Sequence, residues 1–237
     1  LTHFGEMPAR TGLASSSAFT IGLLQSLHEL IKKPLNKESL SRESVKIERD
    51  ILLENSGYQD PLIIANGGFN HIKYGNKINI NSLQKNQLII DELEQWCLLA
   101  FLGQGRISSN IQKIYEKKFS TDKISILKEM NNITESAFKI FKNNNKKDIT
   151  EICDLMKLQW ELKKLMNPLS TNNLIDSIYQ KGLSNGAVSG KILGAGSTGF
   201  FLFLVPPSKH ASFKKKMKIP IDSVFFEQNG SKVIQKI

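Results

Sequence analysis

Apolar residues in the first 60 positions recur at the spacing of amphipathic helices. One set follows a run of serines and predicts a helix from Ser15 to about Ile31, before Pro34: Ile21, Leu24, Leu27 and Ile31. A second set predicts a helix over about 37–54: Leu40, Ile47, Ile51 and Leu52. Asn55, Ser56 and Gly57 are turn residues that close this second helix, so Asp60 is expected just beyond its end.

The apolar pattern becomes alternating in the middle of the chain. Ile72 and Tyr74 alternate with polar neighbours, as do Ile78 and Ile80 beyond the dipeptide Gly75-Asn76, which predicts a hairpin with a two-residue turn. The segment 96–102 is an apolar run of strand length. Helical patterns follow at about 107–118, 122–143 and 148–166, with a loop at 143–147.

The last third of the chain mixes helices with short apolar runs. Thr171 is predicted to cap a helix that ends near Gly182. Residues 191–193 then lead into a glycine-rich segment, and a strand is expected at 200–205. A short basic helix and two closing strands, at about 221–226 and 232–234, complete the pattern. Strands and helices that do not alternate strictly indicate an α+β fold, which we divide into domains at residues 1–88 and 89–237.

Composition narrows the class of protein. With 40% hydrophobic residues among 237, the chain can bury one sizeable core or two modest ones. Its longest uninterrupted apolar run, 199–205, is too short for a membrane-spanning helix, and the first residues show no export signal. Cys97 and Cys153 cannot make a disulfide framework, so a reducing cytoplasm is the expected compartment.

The net charge of +10 raises the question of a nucleic-acid partner. The lysines, however, are scattered along helices or form short runs such as 214–216, without the interleaved aromatic residues of a base-stacking surface. Solvated helical faces explain them better, and small anionic substrates fit the charge as well. We therefore expect neither a nucleic-acid nor a membrane partner.

A stretch of small residues directly precedes the first predicted helix, in the segment Pro8-Ala9-Arg10-Thr11-Gly12-Leu13-Ala14-Ser15-Ser16-Ser17-Ala18. Backbone N–H groups and the positive end of the helix dipole favour a phosphate there, and small side chains let it approach. The candidate phosphate-binding residues are Gly12, Leu13, Ala14, Ser15, Ser16 and Ser17. A cluster of N-capping residues on an ordinary helix explains the pattern equally well.

Glu48 and Asp60 form the second candidate site. Glu48 shares the apolar face of its predicted helix, so its carboxylate points inward and needs a partner. Phosphoryl transfer from ATP requires magnesium and a group that orients or deprotonates the attacking hydroxyl, tasks that two carboxylates can divide. The alternative is an ion pair at Glu48 and a turn-forming role for Asp60.

Three segments, in family order, give the chain a resemblance to the GHMP kinases, above all to the D-glycero-D-manno-heptose 7-phosphate kinases. Residues 8–18 are similar to the nucleotide-phosphate motif, 57–60 to the segment that carries the base, and 190–200 to the glycine-rich loop. Gly67-Gly68-Phe69-Asn70 and Arg106 match the heptose-phosphate and fucose kinase branch, although a strand-entry turn and a surface arginine explain them as well. Departures from the family pattern occur at five positions: Ala14, Ser17, Pro61, Ser197 and Thr198.

The resemblance implies a role for each matching residue. Asp60 would be the base, Ser16 and Glu48 would bind Mg²⁺, and residues 12–17 would hold the triphosphate of ATP. A further set would contact substrate or shape the loop beside the phosphate motif: Gln59, Arg106, Gly194, Ala195 and Gly196. Since Ser197 and Thr198 replace two glycines, any positive φ angle there is expected to be strained. The implied fold is part of a ribosomal-protein-S5-like domain followed by a ferredoxin-like domain.

The implied activity is phosphorylation of the anomeric hydroxyl of D-glycero-D-manno-heptose 7-phosphate to the 1,7-bisphosphate, for nucleotide-sugar synthesis in the cytoplasm. A fucokinase-like or other sugar kinase is the first alternative, and a truncated, non-catalytic nucleotide-binding remnant is the second. The N-terminal strands of the family have no counterpart in this sequence. Their absence would leave an exposed edge through which the chain is expected to associate.

Overall fold

The computed structural model describes residues 2–5, 11–54, 57–103, 121–143 and 149–234. Its α-helices are α1 Ser15–Leu30, α2 Lys37–Lys46, α3 Gln59–Asn66, α4 Gln87–Trp96, α5 Thr121–Lys142, α6 Ile149–Met166, α7 Asn173–Ser184 and α8 His210–Met217. Its strands are β1 Asn70–Lys73, β2 Asn79–Ser82, β3 Cys97–Phe101, β4 Ser189–Ile192, β5 Phe200–Leu204 and β6 Ile221–Ser223. None of the described helices is long and apolar enough to cross a membrane. The helices and antiparallel sheets confirm the predicted α+β fold.

The residues of the chain divide into two compact units. The first unit comprises residues 1–10, 14–84 and 226–237, and the second comprises residues 11–13 and 85–225. The division between domains at residues 88 and 89 stays a prediction.

The first unit is a group of three helices with a two-stranded sheet. Ile21 and Leu24 of α1 are buried with Leu40 of α2 and Ala65 of α3, as predicted for the first halves of these apolar faces. The later residues of the two predicted faces are exposed: Leu27, Ile31, Ile51 and Leu52. β1 and β2 pair antiparallel, with Ile72 opposite Ile80. The connection between them spans residues 74–78, which is longer than the predicted two-residue turn.

The second unit is built on a four-stranded antiparallel sheet in the order β4-β5-β3-β6. Its core is rich in aromatic residues: Trp160, Tyr179, Phe201, Phe203 and Phe213. Trp160 meets Phe201 edge to face with ring centroids 5.9 Å apart, a favourable arrangement of two aromatic quadrupoles. The apolar runs predicted to be strands at 96–102 and 200–205 are the two central strands of this sheet.

The predicted helix over 37–54 is wrong in its second half. The α-helix ends at Lys46 and continues as a π-helical turn, Ile47–Ile51. Asp60 does not lie in a turn beyond a helix, because it occupies the first turn of α3. Pro61 beside it was the sequence signal for that helix start, since proline is favoured in a first helical turn.

Four smaller predictions also need correction. Residues 87–96, where we expected only a domain boundary, form α4. Asn172 rather than Thr171 caps α7, because its side chain accepts a hydrogen bond from the Ile175 N–H at 3.0 Å. The strand expected at 221–226 is confined to 221–223, and 232–234 is not a strand. The predicted helix at 107–118 lies outside the described residues.

Candidate functional site

Glu48 is the buried carboxylate of the first unit, with none of its surface exposed. It lies in the π-helical turn, and π-turns inside helices are frequent at functional sites. Two serine hydroxyls donate to its oxygens: Ser17 Oγ at 3.2 Å from Oε2, and Ser44 Oγ at 3.1 Å from Oε1. Within the described residues, Glu48 is therefore bound by neutral hydroxyls and not by the lysine or arginine of the alternative ion pair.

Asp60 belongs to the same electrostatic neighbourhood. Its side chain reaches solvent, yet the protein packed around it raises the pKa of its carboxyl, and the negative charge of Glu48 raises that pKa further. Burial and then the charge of Asp60 raise the pKa of Tyr74, at the end of β1. The fold therefore brings the two candidate carboxylates, Glu48 and Asp60, close enough for their negative charges to repel each other.

The donor chemistry of this pair fits Mg²⁺. The described residues contain no group of three or more acidic, histidine or cysteine side chains that could hold a metal by themselves. Mg²⁺ is commonly bound through one or two carboxylates, with phosphate oxygens and water completing its shell. A divalent cation would also offset the mutual repulsion of Glu48 and Asp60.

The serines at the start of α1 have different partners: Ser17, not Ser16, is hydrogen-bonded to Glu48. Ser17 is buried and contacts Glu48, whereas Ser16 is exposed and donates to Glu54 at 3.5 Å. Successive helical residues are turned by about 100°, so the side chains of Ser16 and Ser17 point in different directions. The assignment of Ser16 to the metal stays a prediction, and Ser17 is the neighbour of Glu48 that this assignment missed.

Ala14, the residue directly before α1, has a left-handed conformation, with φ 55° and ψ 28°. Only glycine adopts this conformation without strain, which accounts for the glycine that the resembling family usually has there. The Ala14 carbonyl still accepts the Ala18 N–H at 2.9 Å, so the helix starts correctly despite the extra methyl group. Ser15 follows as the first residue of α1.

Thr11 and Gly12 pack in the second unit, against the glycine-rich loop. A Cβ atom on Gly12 would lie 3.0 Å from the Leu193 carbonyl oxygen, and one on Gly194 would lie 2.6 Å from the Gly12 Cα. A Cβ on Gly199 would lie 2.3 Å from the Thr11 carbonyl oxygen, which also accepts the Phe200 N–H at 3.2 Å. The expectation that the loop packs beside the phosphate motif is thus confirmed for Gly12.

The loop itself is held by polar contacts on its other side. Ser197 N–H donates to the Ser170 carbonyl at 3.0 Å, and Asn172 Nδ2 donates to the Ser197 carbonyl at 3.1 Å. A Cβ on Gly196 would lie 2.3 Å from the Ser170 carbonyl oxygen. Ser197 has a positive φ of 74°, the strained conformation expected for a residue that replaces glycine there. Thr198 is not among the residues with positive φ.

Lys163 is a residue of this loop region that the sequence analysis missed. Its ammonium group donates to the carbonyls of Ile192 at 3.2 Å and Gly194 at 2.7 Å. Burial, and then the positive charge of Lys191, lower the pKa of Lys163 to about 7, and burial also lowers the pKa of Lys191. Its position gave no signal, because a lysine within an amphipathic helix usually faces solvent.

The remaining candidate residues are placed as follows. Gln59 is the exposed first residue of α3, next to Asp60. Leu13 and Ala195 are half-buried, and nothing in their surroundings assigns them a ligand. Arg106 lies outside the described residues, as do Pro8, Ala9 and Arg10 of the phosphate motif.

Comparison with known proteins agrees with this arrangement. Residues 1–68 match the family described as "GHMP kinases N terminal domain". The chain is 28% identical over 220 residues to D-glycero-alpha-D-manno-heptose 7-phosphate kinase from Campylobacter jejuni, covering 92% of this chain and 64% of the relative. It is 24% identical over 219 residues to the bifunctional fucokinase/GDP-fucose pyrophosphorylase of Arabidopsis thaliana, covering 88% of this chain and 20% of the relative.

A solved structure gives the same result for the fold. The crystal structure of a D-glycero-D-manno-heptose 1-phosphate kinase from Bacteriodes thetaiotaomicron superposes with a TM-score of 0.71 at 23% identity, covering 98% of this chain and 67% of that one. The chain spans less than two thirds of the length of the curated relatives it matches. Residues 1–68 are thus similar to the N-terminal domain of the GHMP kinases, and the chain has the fold of the superposed kinase structure.

Proposed function

We propose that the protein is an ATP- and Mg²⁺-dependent sugar kinase that phosphorylates the anomeric hydroxyl of D-glycero-D-manno-heptose 7-phosphate to the 1,7-bisphosphate. The observation that carries this proposal is the pair of interacting carboxylates, Glu48 and Asp60, in the first unit. Glu48 is buried and accepts hydrogen bonds from two serine hydroxyls, and its charge contributes to the raised pKa of Asp60. Such a pair suits phosphoryl transfer better than it suits structural stability, because two like charges in one neighbourhood destabilise the fold.

Asp60 would orient the sugar hydroxyl and accept its proton. A carboxylate whose pKa lies above the ordinary value is a stronger base than an ordinary aspartate. Its position in the first turn of a helix that is packed at its other end keeps the carboxylate in place. Gln59 beside it is exposed and available to contact the sugar.

Glu48 and Ser16 would hold Mg²⁺. When bound, the ion would offset charge on the phosphates of ATP and on the two carboxylates. Ser17 and Ser44 donate to Glu48 and keep its carboxylate oriented, so that the carboxylate does not swing away when ATP leaves. These hydroxyls are also neutral, and therefore they do not compete with a cation for the charge of Glu48.

The backbone N–H groups of residues 12–17 would cradle the triphosphate, and the loop residues Gly194, Ala195 and Gly196 would shape the part of the phosphate motif at Gly12. The close backbone packing of Gly12 on Gly194 supports that role. Arg106 is proposed to hold the phosphate of the sugar, because a guanidinium binds phosphate in a bidentate manner.

The heptose phosphate is proposed because the Campylobacter relative, named for that substrate, matches over most of this chain. A fucokinase-like activity is the second candidate, and the match to the Arabidopsis bifunctional protein favours it. A kinase that draws on ATP and a sugar phosphate would act in the cytoplasm and feed nucleotide-sugar synthesis.

The test is a substrate panel with the full-length protein, ATP and MgCl₂. Heptose 7-phosphate, the same heptose without phosphate, L-fucose and D-galactose are compared by ADP release, and the product is located by ³¹P NMR. We expect turnover of the heptose 7-phosphate and a new anomeric phosphate signal. Preference for fucose would replace the substrate assignment, and absence of turnover with every sugar by folded protein would leave the nucleotide-binding remnant as the better account.

A further inference from the structure

The segment 226–231, here called the C-terminal strap, packs in the first unit against the end of α3. Gly68 N–H donates to the Glu227 carbonyl at 2.7 Å, and Ser231 N–H donates to the Ile64 carbonyl at 2.9 Å. These two backbone hydrogen bonds lie on either side of Asn66, the last residue of α3. The strap is therefore hydrogen-bonded to the chain both before and after the last residue of α3.

Two glycines make this approach possible. A Cβ on Gly67 would lie 2.0 Å from the Gly230 nitrogen, and a Cβ on Gly230 would lie 2.5 Å from the Gly67 nitrogen. Both residues have positive φ, 65° and 66°, which other residues rarely adopt. The strap contact thus gives the Gly67-Gly68 pair a structural purpose that neither a sugar contact nor a plain strand-entry turn explains.

Side chains fasten the strap to the neighbouring elements. Lys37, the first residue of α2, donates from its ammonium group to the Asn66 carbonyl at 3.0 Å and to the Asn229 carbonyl at 2.6 Å. A cation at the C-terminal end of α3 also complements the negative end of the helix dipole. Gln84 Nε2 donates to the Gln228 carbonyl at 3.1 Å, and Ser231 Oγ contacts Gln25 of α1.

The helix that the strap grips is short. α3 has eight residues, and an isolated helix of that length is not stable in water, so its orientation depends on packing. Leu62 and Ala65 are buried and fix one face, while the strap fixes the C-terminal end. Asp60 stands at the opposite end of the same rigid two-turn element. A shift of the C-terminal end of α3 would therefore also move the Asp60 carboxylate.

We propose that the C-terminal strap, through Gly230 and Lys37, positions the helix that carries Asp60 and thereby supports the transfer step. The inference rests on the proposed function for its effect on turnover, but not for its effect on α3. Gly230 and Lys37 are positioning residues, since the proposed chemistry assigns neither of them a contact with substrate. The rate loss is expected in kcat rather than in the KM values, because misplacing a reacting group by about 1 Å can slow a step by roughly 100-fold.

The test compares Gly230→Ala, Lys37→Met and Lys37→Arg in the full-length protein. Gly22→Ala on α1, where an added Cβ meets nothing within 4 Å, and Lys33→Met are the matched controls. Hydrogen exchange is followed at α3 and at the amides of Gly68 and Ser231, and kcat and KM are corrected for the folded fraction. For Gly230→Ala we expect faster exchange and a roughly 10- to 100-fold lower kcat with KM values within about twofold.

Lys37→Met is expected to show the same changes to a smaller degree, Lys37→Arg to restore wild-type behaviour, and the controls to match the wild type. Unchanged exchange and unchanged kcat in folded Gly230→Ala and Lys37→Met would overturn the proposal. If Gly230→Ala does not fold, Lys37→Met and its arginine counterpart decide. If the wild type phosphorylates no sugar, the proposed function fails, and the exchange rates alone decide whether the strap holds α3.

Discussion

The two units contain candidate groups of different physical kinds. In the first unit the relevant groups are side chains: Glu48 is buried against two hydroxyls, and Asp60 carries a raised pKa. In the second unit the relevant groups are backbone atoms, because Gly12, Gly194 and Gly199 allow two chain segments to approach within contact distance. The first arrangement should tolerate changes of shape better than changes of charge, and the second should do the reverse.

Removing the charge of Glu48 tests the first half of this comparison. Glu48→Gln keeps the shape and removes the metal-binding charge. Its amide oxygen can accept from one serine hydroxyl, and its NH2 group can donate to the hydroxyl oxygen of the other. We expect kcat to fall by roughly 100- to 1,000-fold and the melting temperature to stay the same or to rise. Steady-state kinetics and thermal denaturation measure both.

Glu38→Gln, on the exposed side of α2, is the control and should leave both values unchanged. Retained activity in Glu48→Gln would remove Glu48 from the proposed mechanism.

Adding one methyl group tests the second half. In Gly199→Ala the new Cβ meets the Thr11 carbonyl oxygen at 2.3 Å, and the backbone keeps a φ of 96°. We expect a loss of about 2–4 kcal/mol in the free energy of unfolding, measured by urea denaturation. Gly22→Ala should instead be neutral or slightly stabilising, because alanine favours a helix. Equal stability of the two variants would contradict the packing described for the loop.

Lys163 adds to the comparison because it is a charged side chain in the second unit whose ammonium group binds backbone carbonyls. Its pKa is about 7 in the folded protein, against an ordinary value of 10.5 that applies when the chain unfolds. Between these two pH values the unfolded chain holds a proton that the folded protein has lost, so stability from this group rises as pH increases. Below pH 7 both states are protonated and the burial of the charge is fully unfavourable.

The expected result concerns the difference in unfolding free energy between Lys163→Met and the wild type. Any advantage of the variant at pH 7 should shrink, or any deficit should grow, when the measurement is repeated at pH 10. Lys164→Met, at the next position of α6 and paired in the wild type with Glu161, should follow the pH dependence of the wild type. A difference that does not change with pH would show that Lys163 is not buried as described.

The smallest effects are expected where the chain places a side chain in a glycine conformation. Ala14 has φ 55° and Ser197 has φ 74°, one in each unit. Ala14→Gly and Ser197→Gly should each raise the free energy of unfolding by about 0.5–1 kcal/mol, because the relief of strain exceeds the added chain entropy. Urea denaturation of the two variants and of the double variant measures the gains, and a loss at either position would count against the strain.

The sequence predicted those parts of the fold that depend on local pattern. The first helix, the hairpin and the two central strands were found because their apolar residues repeat with the right period. The glycine-rich loop was found because residues 190–200 follow the family motif closely. The inward position of Glu48 was also predicted, although Ile51 and Leu52, which shared its predicted face, are exposed.

Other features depend on contacts that no local pattern reveals. The π-helical turn at 47–51 carries a carboxylate that accepts hydrogen bonds from Ser44 of the preceding α2 and from Ser17 of α1. The choice of Ser17 over Ser16 as the neighbour of Glu48 depends on how α1 is rotated in its packing. Lys163 looks like any lysine on an amphipathic helix, and the link between Gly67 and Gly230 joins positions 163 residues apart.

The most direct test of the account is phosphoryl transfer by Asp60→Asn. The full-length wild type and the variant are assayed for ADP release with heptose 7-phosphate, ATP and MgCl₂, and thermal denaturation confirms that both are folded. The account predicts a fall in kcat of roughly 100- to 10,000-fold at an unchanged or slightly higher melting temperature, since the variant loses the base and also the repulsion from Glu48. Turnover by Asp60→Asn at close to the wild-type rate would contradict the assignment of the carboxylate pair as the site of transfer.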